Sequence, residues 1–159
     1  MMRFDHSRGG TPVGLLAELD GLEATIVRYF RLWRDGPRSQ AQVWKDFASG
    51  LGRAEGQSAL QSFDELCGLI TRHGRRALIS HRIECACLGA DESCFANFIA
   101  SAAEGDREDA MLIATLLVRP DMAPIVTALA TDVGMALKRM QLGAARAADL
   151  RQPAPALLH

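Results

Sequence analysis

The sequence predicts an all-α domain of about six helices, interrupted by one extended segment or short strand near residues 76–87. Apolar residues recur at three- and four-residue spacing through most of the chain, a pattern typical of amphipathic helices, whereas this one segment alternates at period two. With 159 residues, 48% of them hydrophobic, the chain is long enough to bury one core. We therefore expect a single domain over residues 11–142, a flexible segment over 1–10 and a mobile tail over 143–159.

The first helix is predicted to begin at Thr11-Pro12, because threonine caps helices and proline suits the first helical position. Asp20 and Glu23 form a capping box inside this stretch, and they could divide the helix into two pieces. The apolar stripe continues until Asp35-Gly36-Pro37 and consists of Leu15, Leu19, Leu22, Ile26, Phe30 and Trp33.

Two more helices are predicted before the extended segment. A capping box at Ser39 opens the second helix, which Gly50 and Gly52 should end. The third helix should run over about residues 55–73, with Gly74 in the left-handed conformation that closes many helices. The alternating segment that follows predicts a strand or an extended connection.

Three helices are predicted in the second half of the chain. Asp91 should cap the fourth helix, which Gly105 closes, and Asp106 should cap the fifth, which ends before Pro120. Because the connection between these two helices is short, they should form a hairpin. The sixth helix is predicted over about residues 122–141.

The charge balance and the apolar runs exclude some classes of protein. Eighteen basic and nineteen acidic side chains give a net charge of −1, so no overall attraction to nucleic acid or to an anionic membrane is expected. The longest near-apolar run, from Ala110 to Val118, is far shorter than the roughly 20 residues of a membrane span. Residues 1–10 contain no apolar core of a secretory signal, and we expect a cytoplasmic protein with reduced cysteines.

The four cysteines are the most informative residues for function. Cys67, Cys85, Cys87 and Cys94 form a C-x17-C-x-C-x6-C series, and His81 lies close by. Four thiolates suit a structural zinc ion or an iron–sulfur cluster, and His81 could complete the set of ligands. The C-x-C spacing is unusual for zinc, so two alternatives stay open: small buried hydrophobic residues, or thiols with redox chemistry.

A catalytic thiol is a further alternative, in the form of a small helical enzyme that pairs Cys94 with His81. Cys94 should lie in the first turn of a helix, where the helix dipole favours a thiolate, but Asp91 and Glu92 oppose this effect. No phosphate-binding loop, nucleophile elbow or H-E-x-x-H motif occurs in the sequence. We therefore expect that the protein is not an enzyme.

A basic cluster after the third helix raises the possibility of nucleic-acid binding. Arg72, Arg75, Arg76 and Arg82 could contact phosphates, and two helices followed by a strand resemble the order of a winged helix. Acidic residues on the same helix oppose this, and arginines also cap helix C-termini. A winged-helix-like transcription regulator is therefore the alternative to the favoured prediction.

The favoured prediction is a small regulatory or binding module that responds to metal or to redox conditions through its cysteines. Helical surfaces without a convergent set of catalytic groups are typical of proteins that bind a protein partner or self-associate. No membrane partner is expected.

Overall fold

The computed structural model describes residues 8–151, and within this range the chain forms six α-helices and two short strands. The helices α1 to α6 comprise Gly21–Asp35, Pro37–Leu51, Arg53–His73, Ala90–Ala103, Arg107–Leu117 and Ala123–Arg151. The strands β1 and β2 comprise Pro12–Leu15 and Cys87–Gly89 and form an antiparallel pair. The predicted all-α class with one short strand segment is confirmed. In the described range, no helix combines the length and the apolar character that crossing a membrane requires.

The last helix, α6, is the centre of the fold and packs against each of the other five helices. Its buried side chains recur every three or four residues and so form one broad stripe along the helix, which the neighbouring helices cover. The central members of this set are Val126, Ala130, Val133, Ala136 and Leu137. Removing these apolar groups from water is the main contribution that holds the bundle together.

The start of the chain differs from the prediction. Residues Pro12–Leu15 form β1, not the beginning of a helix, and Leu15 lies opposite Cys87 of β2. Helix α1 begins only at Gly21, where the Asp20 side chain accepts a hydrogen bond from the Glu23 amide at 2.8 Å. The predicted cap at Asp20 is therefore correct and the predicted start at Thr11-Pro12 is wrong. Local propensity could not reveal this, since the pairing partner is distant in sequence.

Two helix ends also differ from the prediction. Gly74 has a φ of −66°, which is not left-handed, because the chain turns there into a bridge with Val118. Helix α6 continues to Arg151 instead of ending near Gln141, so residues 143–151 are helical. At the other terminus, Arg8–Gly10 is a 3-10 turn. The parts of the predicted flexible segment and mobile tail at residues 1–7 and 152–159 lie outside the described range.

The segment between α3 and β2, residues 74–86, is referred to below as the connector. The residues directly after it form a strand. The connector itself is irregular apart from the bridge of Gly74 with Val118 and a turn in which the Cys85 amide donates to the Arg82 carbonyl. Many of its polar backbone groups are bonded by side chains of α1 and α4 and not by a neighbouring strand. This explains why a period-two sequence did not produce a long strand.

Candidate functional site

Glu92, at the start of α4, holds the connector from one side and has no exposed surface. One carboxylate oxygen accepts from the Gly89 amide at 3.0 Å, which makes Glu92 part of a capping box at the helix N-terminus. The other oxygen accepts from the His81 amide at 3.2 Å. The same carboxylate therefore fixes both the beginning of α4 and the middle of the connector.

Asp91, the neighbouring residue, holds the first part of the connector. Its Oδ2 atom accepts from the Ile79 amide at 2.8 Å, and both carboxylate oxygens accept from the Arg76 guanidinium. Asp91 is only 3% exposed, so its charge needs these partners. We predicted Asp91 as the N-cap of α4, but the cap position belongs to Gly89 and Asp91 lies inside the first turn.

Arg31 of α1 holds the connector from the opposite side and is only 2% exposed. Its guanidinium forms a two-pronged ion pair with Glu92, with Nε–Oε2 and Nη2–Oε1 distances of 2.6 and 2.9 Å. Nη1 and Nη2 also donate to the carbonyls of Cys85 and Cys87, each at 2.7 Å. A buried ion pair contributes to stability only when its remaining hydrogen-bonding groups are satisfied, and here they are.

The surroundings of Glu92 also determine its titration. Burial acts to raise the pKa of Glu92, but hydrogen bonds from Arg31 and from the Gly89 and His81 amides outweigh this effect. The net result is a pKa below the usual range for glutamate. The carboxylate is therefore charged at neutral pH.

A cysteine–histidine pair lies at the end of the connector. The Sγ atom of Cys85 is 3.7 Å from Nδ1 of His81, and Nε2 of His81 is 2.9 Å from the Gly10 carbonyl. Because a carbonyl can only accept, Nε2 must carry a proton, and Nδ1 is then free to accept the thiol proton of Cys85. The Gly10 carbonyl thus orients the ring, as the third member of a catalytic triad orients a base.

Gly89 provides the space that the His81 ring occupies. A methyl group on Gly89 would lie 2.8 Å from both Cδ2 and Nε2 of the ring, closer than carbon atoms tolerate. The backbone φ of Gly89 is −81°, so the need for glycine here is one of space and not of conformation. Cys85 and His81 are only partly buried.

The other three cysteines lie in different surroundings. Cys67 of α3 faces a cavity, and burial, with a smaller effect of Asp64, raises the pKa of its thiol far above the usual range. Cys94 of α4 also has a raised pKa, chiefly through burial and then through the charge of Asp91. Cys87 is in β2. The alternative of a small thiol enzyme pairs His81 with Cys94; in the structure the Nδ1 atom of His81 lies beside Cys85 instead.

The five predicted metal ligands are not brought together. Among residues 8–151, no three side chains of His, Cys, Asp or Glu converge in a way that could hold a metal ion. The thiols are distributed over α3, the connector, β2 and α4, and of the five only His81 and Cys85 are within hydrogen-bonding distance in the described range. Zinc or an iron–sulfur cluster stays a prediction without a matching site in this part of the chain.

The four arginines predicted to bind nucleic acid have separate roles in the fold. Arg75 donates to the Thr115 carbonyl of α5, and Arg76 pairs with Asp91. Arg72 lines the cavity that also contains Cys67, and Arg82 lies in the exposed turn of the connector. Binding to nucleic acid through these residues stays a prediction.

An exposed apolar groove lies between α4, α5 and β1. Leu112 and Leu116, one turn apart on α5, are 67% and 69% exposed, and Val13 of β1 lies beside them. The expected protein partner or self-association would need a surface of this kind, but it stays a prediction.

Sequence reasoning found His81 and Cys85 but missed the residues that position them. Arg31 and Glu92 are 61 positions apart, and the chain gives no local sign that they meet. The sequence contains one indication that Arg31 is buried. Arg31 follows Val27 by one helical turn, which places a charged residue directly beside the apolar stripe of the first helix.

Comparison with protein-family models, curated proteins and solved structures found no significant match.

Proposed function

We propose that the protein is a small regulatory module whose responsive group is the Cys85 thiol, with His81 as its proton acceptor. The observation that carries this proposal is the chain of contacts from the Cys85 thiol through both ring nitrogens of His81 to the Gly10 carbonyl. A thiol becomes a nucleophile when a nearby base accepts its proton, and a base is effective when a third group fixes its orientation.

The oxidant for this proposal is a hydroperoxide. The Cys85 thiolate attacks one peroxide oxygen, an S–O bond forms, and the O–O bond breaks with its electron pair moving to the other oxygen. The His81 imidazolium gives its proton to that leaving oxygen, so hydrogen peroxide yields water and cysteine sulfenic acid. Sulfur loses two electrons and the peroxide gains them.

The position of the pair supports a regulatory role. The His81 ring that accepts the thiol proton also binds the segment before β1, through Gly10. The Leu16 amide donates to the Ala86 carbonyl and the Ala90 amide to the Thr11 carbonyl, so the residues on both sides of β1 are bonded to the residues on both sides of β2. A chemical change at Cys85 therefore has a direct route to the N-terminal strand.

Trapping of sulfenic acid tests the proposal. The protein is treated with hydrogen peroxide in the presence of dimedone, and labelling of each cysteine is followed by mass spectrometry of peptides. Cys85 should be labelled faster than Cys67 and Cys94, and His81→Gln should slow its labelling by at least about tenfold, as expected for loss of a proton acceptor.

The matched control is His73→Gln. His73, at the end of α3, bonds Arg119 through Nδ1 and has no contact with a thiol, so this change should leave Cys85 labelling at the wild-type rate. Circular dichroism verifies that both variants are folded. Equal labelling of Cys85 in wild type and His81→Gln, or faster labelling of Cys67 or Cys94, would show that the pair does not activate the thiol.

A further inference from the structure

A cavity of about 500 Å³ lies between α1, α3, the start of the connector and α4. Small-molecule sites typically have volumes of about 300–1,000 Å³, so this cavity has the size of a ligand site. It does not include Cys85 or His81. Its apolar wall consists of Phe30, Trp33, Ile70, Leu78 and Phe95.

The aromatic part of the wall is formed by side chains that are held in place by the core. Phe30 and Phe95 are fully buried or nearly so and stack with ring centroids 4.6 Å apart. Trp33 is packed edge-on against Phe63 of α3, with a centroid distance of 5.5 Å. Phe30 and Phe95 form the support behind the wall, and the partly exposed Trp33 is the ring that can contact a flat apolar group without first losing side-chain freedom.

The rim of the cavity has an excess of positive charge. Three arginines and one acidic residue, Asp64, line it. Arg76 is neutralised by Asp91, but neither Arg34 nor Arg72 has an ion-pair partner among residues 8–151. Two guanidiniums therefore stand against the single carboxylate of Asp64, in a protein whose net charge is −1.

Both of these guanidiniums are positioned beside the cavity by local contacts. The Arg34 guanidinium lies 5.5 Å from the centre of the Phe30 ring, in a cation–π arrangement. The Arg72 guanidinium lies over Gly68, one turn earlier on α3, where a methyl group would be only 3.1 Å from its Nη1 atom. An alanine at position 68 would require this guanidinium to shift by only a few tenths of an ångström.

We propose that this cavity binds a small organic anion with an aromatic body, the rings against Trp33 and the anionic group at Arg34 and Arg72. Guanidinium groups bind carboxylates with two parallel hydrogen bonds, and each arginine here has its donors free of acidic partners in the described range. The thiol of Cys67 contributes a neutral, apolar part of the wall. The proposal is independent of the reactivity of Cys85.

A series of ligands that differ only in charge tests the proposal. Binding of 2-naphthoate, 2-naphthalenemethanol and 2-naphthylmethylamine to the full chain is measured by isothermal titration calorimetry. The anion should bind at least about tenfold more tightly than the neutral alcohol, and the cation should bind most weakly. In a Trp44→Phe variant, whose one remaining tryptophan is Trp33, the anion should quench the emission in a saturable way.

Variants locate the site. Arg34→Gln combined with Arg72→Gln should remove the preference for the anion. Arg38→Gln is the matched control, because Arg38 is an exposed arginine of α2 outside the cavity. Ligand-detected NMR on the wild-type protein replaces the fluorescence measurement if Trp44→Phe does not fold.

The proposal is overturned by any of three results. The first is no saturable binding of 2-naphthoate up to its solubility limit. The second is equal affinity for the three ligands. The third is an unchanged anion affinity in the double arginine variant, or an equal loss in Arg38→Gln.

Discussion

Arg31 and Glu92 form a two-pronged ion pair in the interior of the protein, 61 positions apart in the chain, with both side chains removed from solvent. Each member also bonds backbone groups in or next to the connector. Arg31 donates to backbone carbonyls, and Glu92 accepts from backbone amides. The pair is therefore the link between α1, α4 and the segment that bears His81 and Cys85.

Glu92→Gln should destabilise the protein strongly. The change leaves the Arg31 charge buried without its counter-ion, and the loss of one partner of a buried pair typically costs about 3–5 kcal/mol. Urea denaturation followed by circular dichroism measures the free energy of unfolding. Arg139→Gln, which removes an exposed pair with Glu55 at 3.8 Å, should cost no more than about 1 kcal/mol. Similar losses in the two variants would contradict the importance of the buried pair.

Acid should remove the stabilisation that Glu92 provides. Because the pKa of Glu92 is lower in the folded protein than the ordinary value of 4.5, its contribution is fully present above that value. The contribution is lost as the pH falls through the folded-state pKa. The difference in unfolding free energy between wild type and Glu92→Gln should therefore be constant near neutral pH and shrink below about pH 4.5. A difference that stays constant down to pH 3 would show that the carboxylate is not the group responsible.

Gly89→Ala should disable the cysteine–histidine pair without a change in either residue. The added methyl group would overlap the His81 ring and force it away from Cys85 and Gly10. Peroxide labelling of Cys85 should then slow to the rate of the His81→Gln variant. Gly14→Ala, in the paired strand β1, is the control, since among residues 8–151 no atom apart from those of its chain neighbours lies within 4 Å of the added methyl group. If both alanine variants react at the wild-type rate, the ring orientation does not matter.

Asp91→Asn should make Cys94 more reactive. Burial raises the pKa of the Cys94 thiol first, and the charge of Asp91 raises it further, so removal of that charge lowers the pKa. Alkylation of Cys94 by iodoacetamide at pH 8 should be faster in the variant. Cys67, which faces the cavity, should keep its rate, and a parallel increase at both thiols would instead indicate general loosening of the fold.

The helices could be predicted from the sequence because each depends on residues that are neighbours along the chain. The capping interaction of Asp20 with Glu23 and the closing glycine at residue 105, with a φ of +85°, are local signals of this kind. Gly143 misled the prediction of the last helix, since one glycine costs only about 1 kcal/mol in a helix interior and did not end it.

The site could be predicted only in part. His81 and Cys85 are four positions apart, and they were already grouped from the sequence as neighbouring ligands of one predicted metal site. The pairing of His81 with Cys85 and not with Cys94 depends on where α4 begins relative to the connector. That relation is set by Arg31 and Glu92, whose contact spans 61 positions and leaves no local pattern.

The connector also has a consequence for protein engineering. Its shape is specified by groups that it does not contain: the Arg31 guanidinium, the two carboxylates at the start of α4 and the Gly10 carbonyl. A peptide of residues 74–89 would lack these partners and would not keep the geometry around Cys85. The cysteine–histidine pair is therefore not a portable motif, and a transplant into another scaffold would have to carry α1, α4 and the N-terminal strand with it.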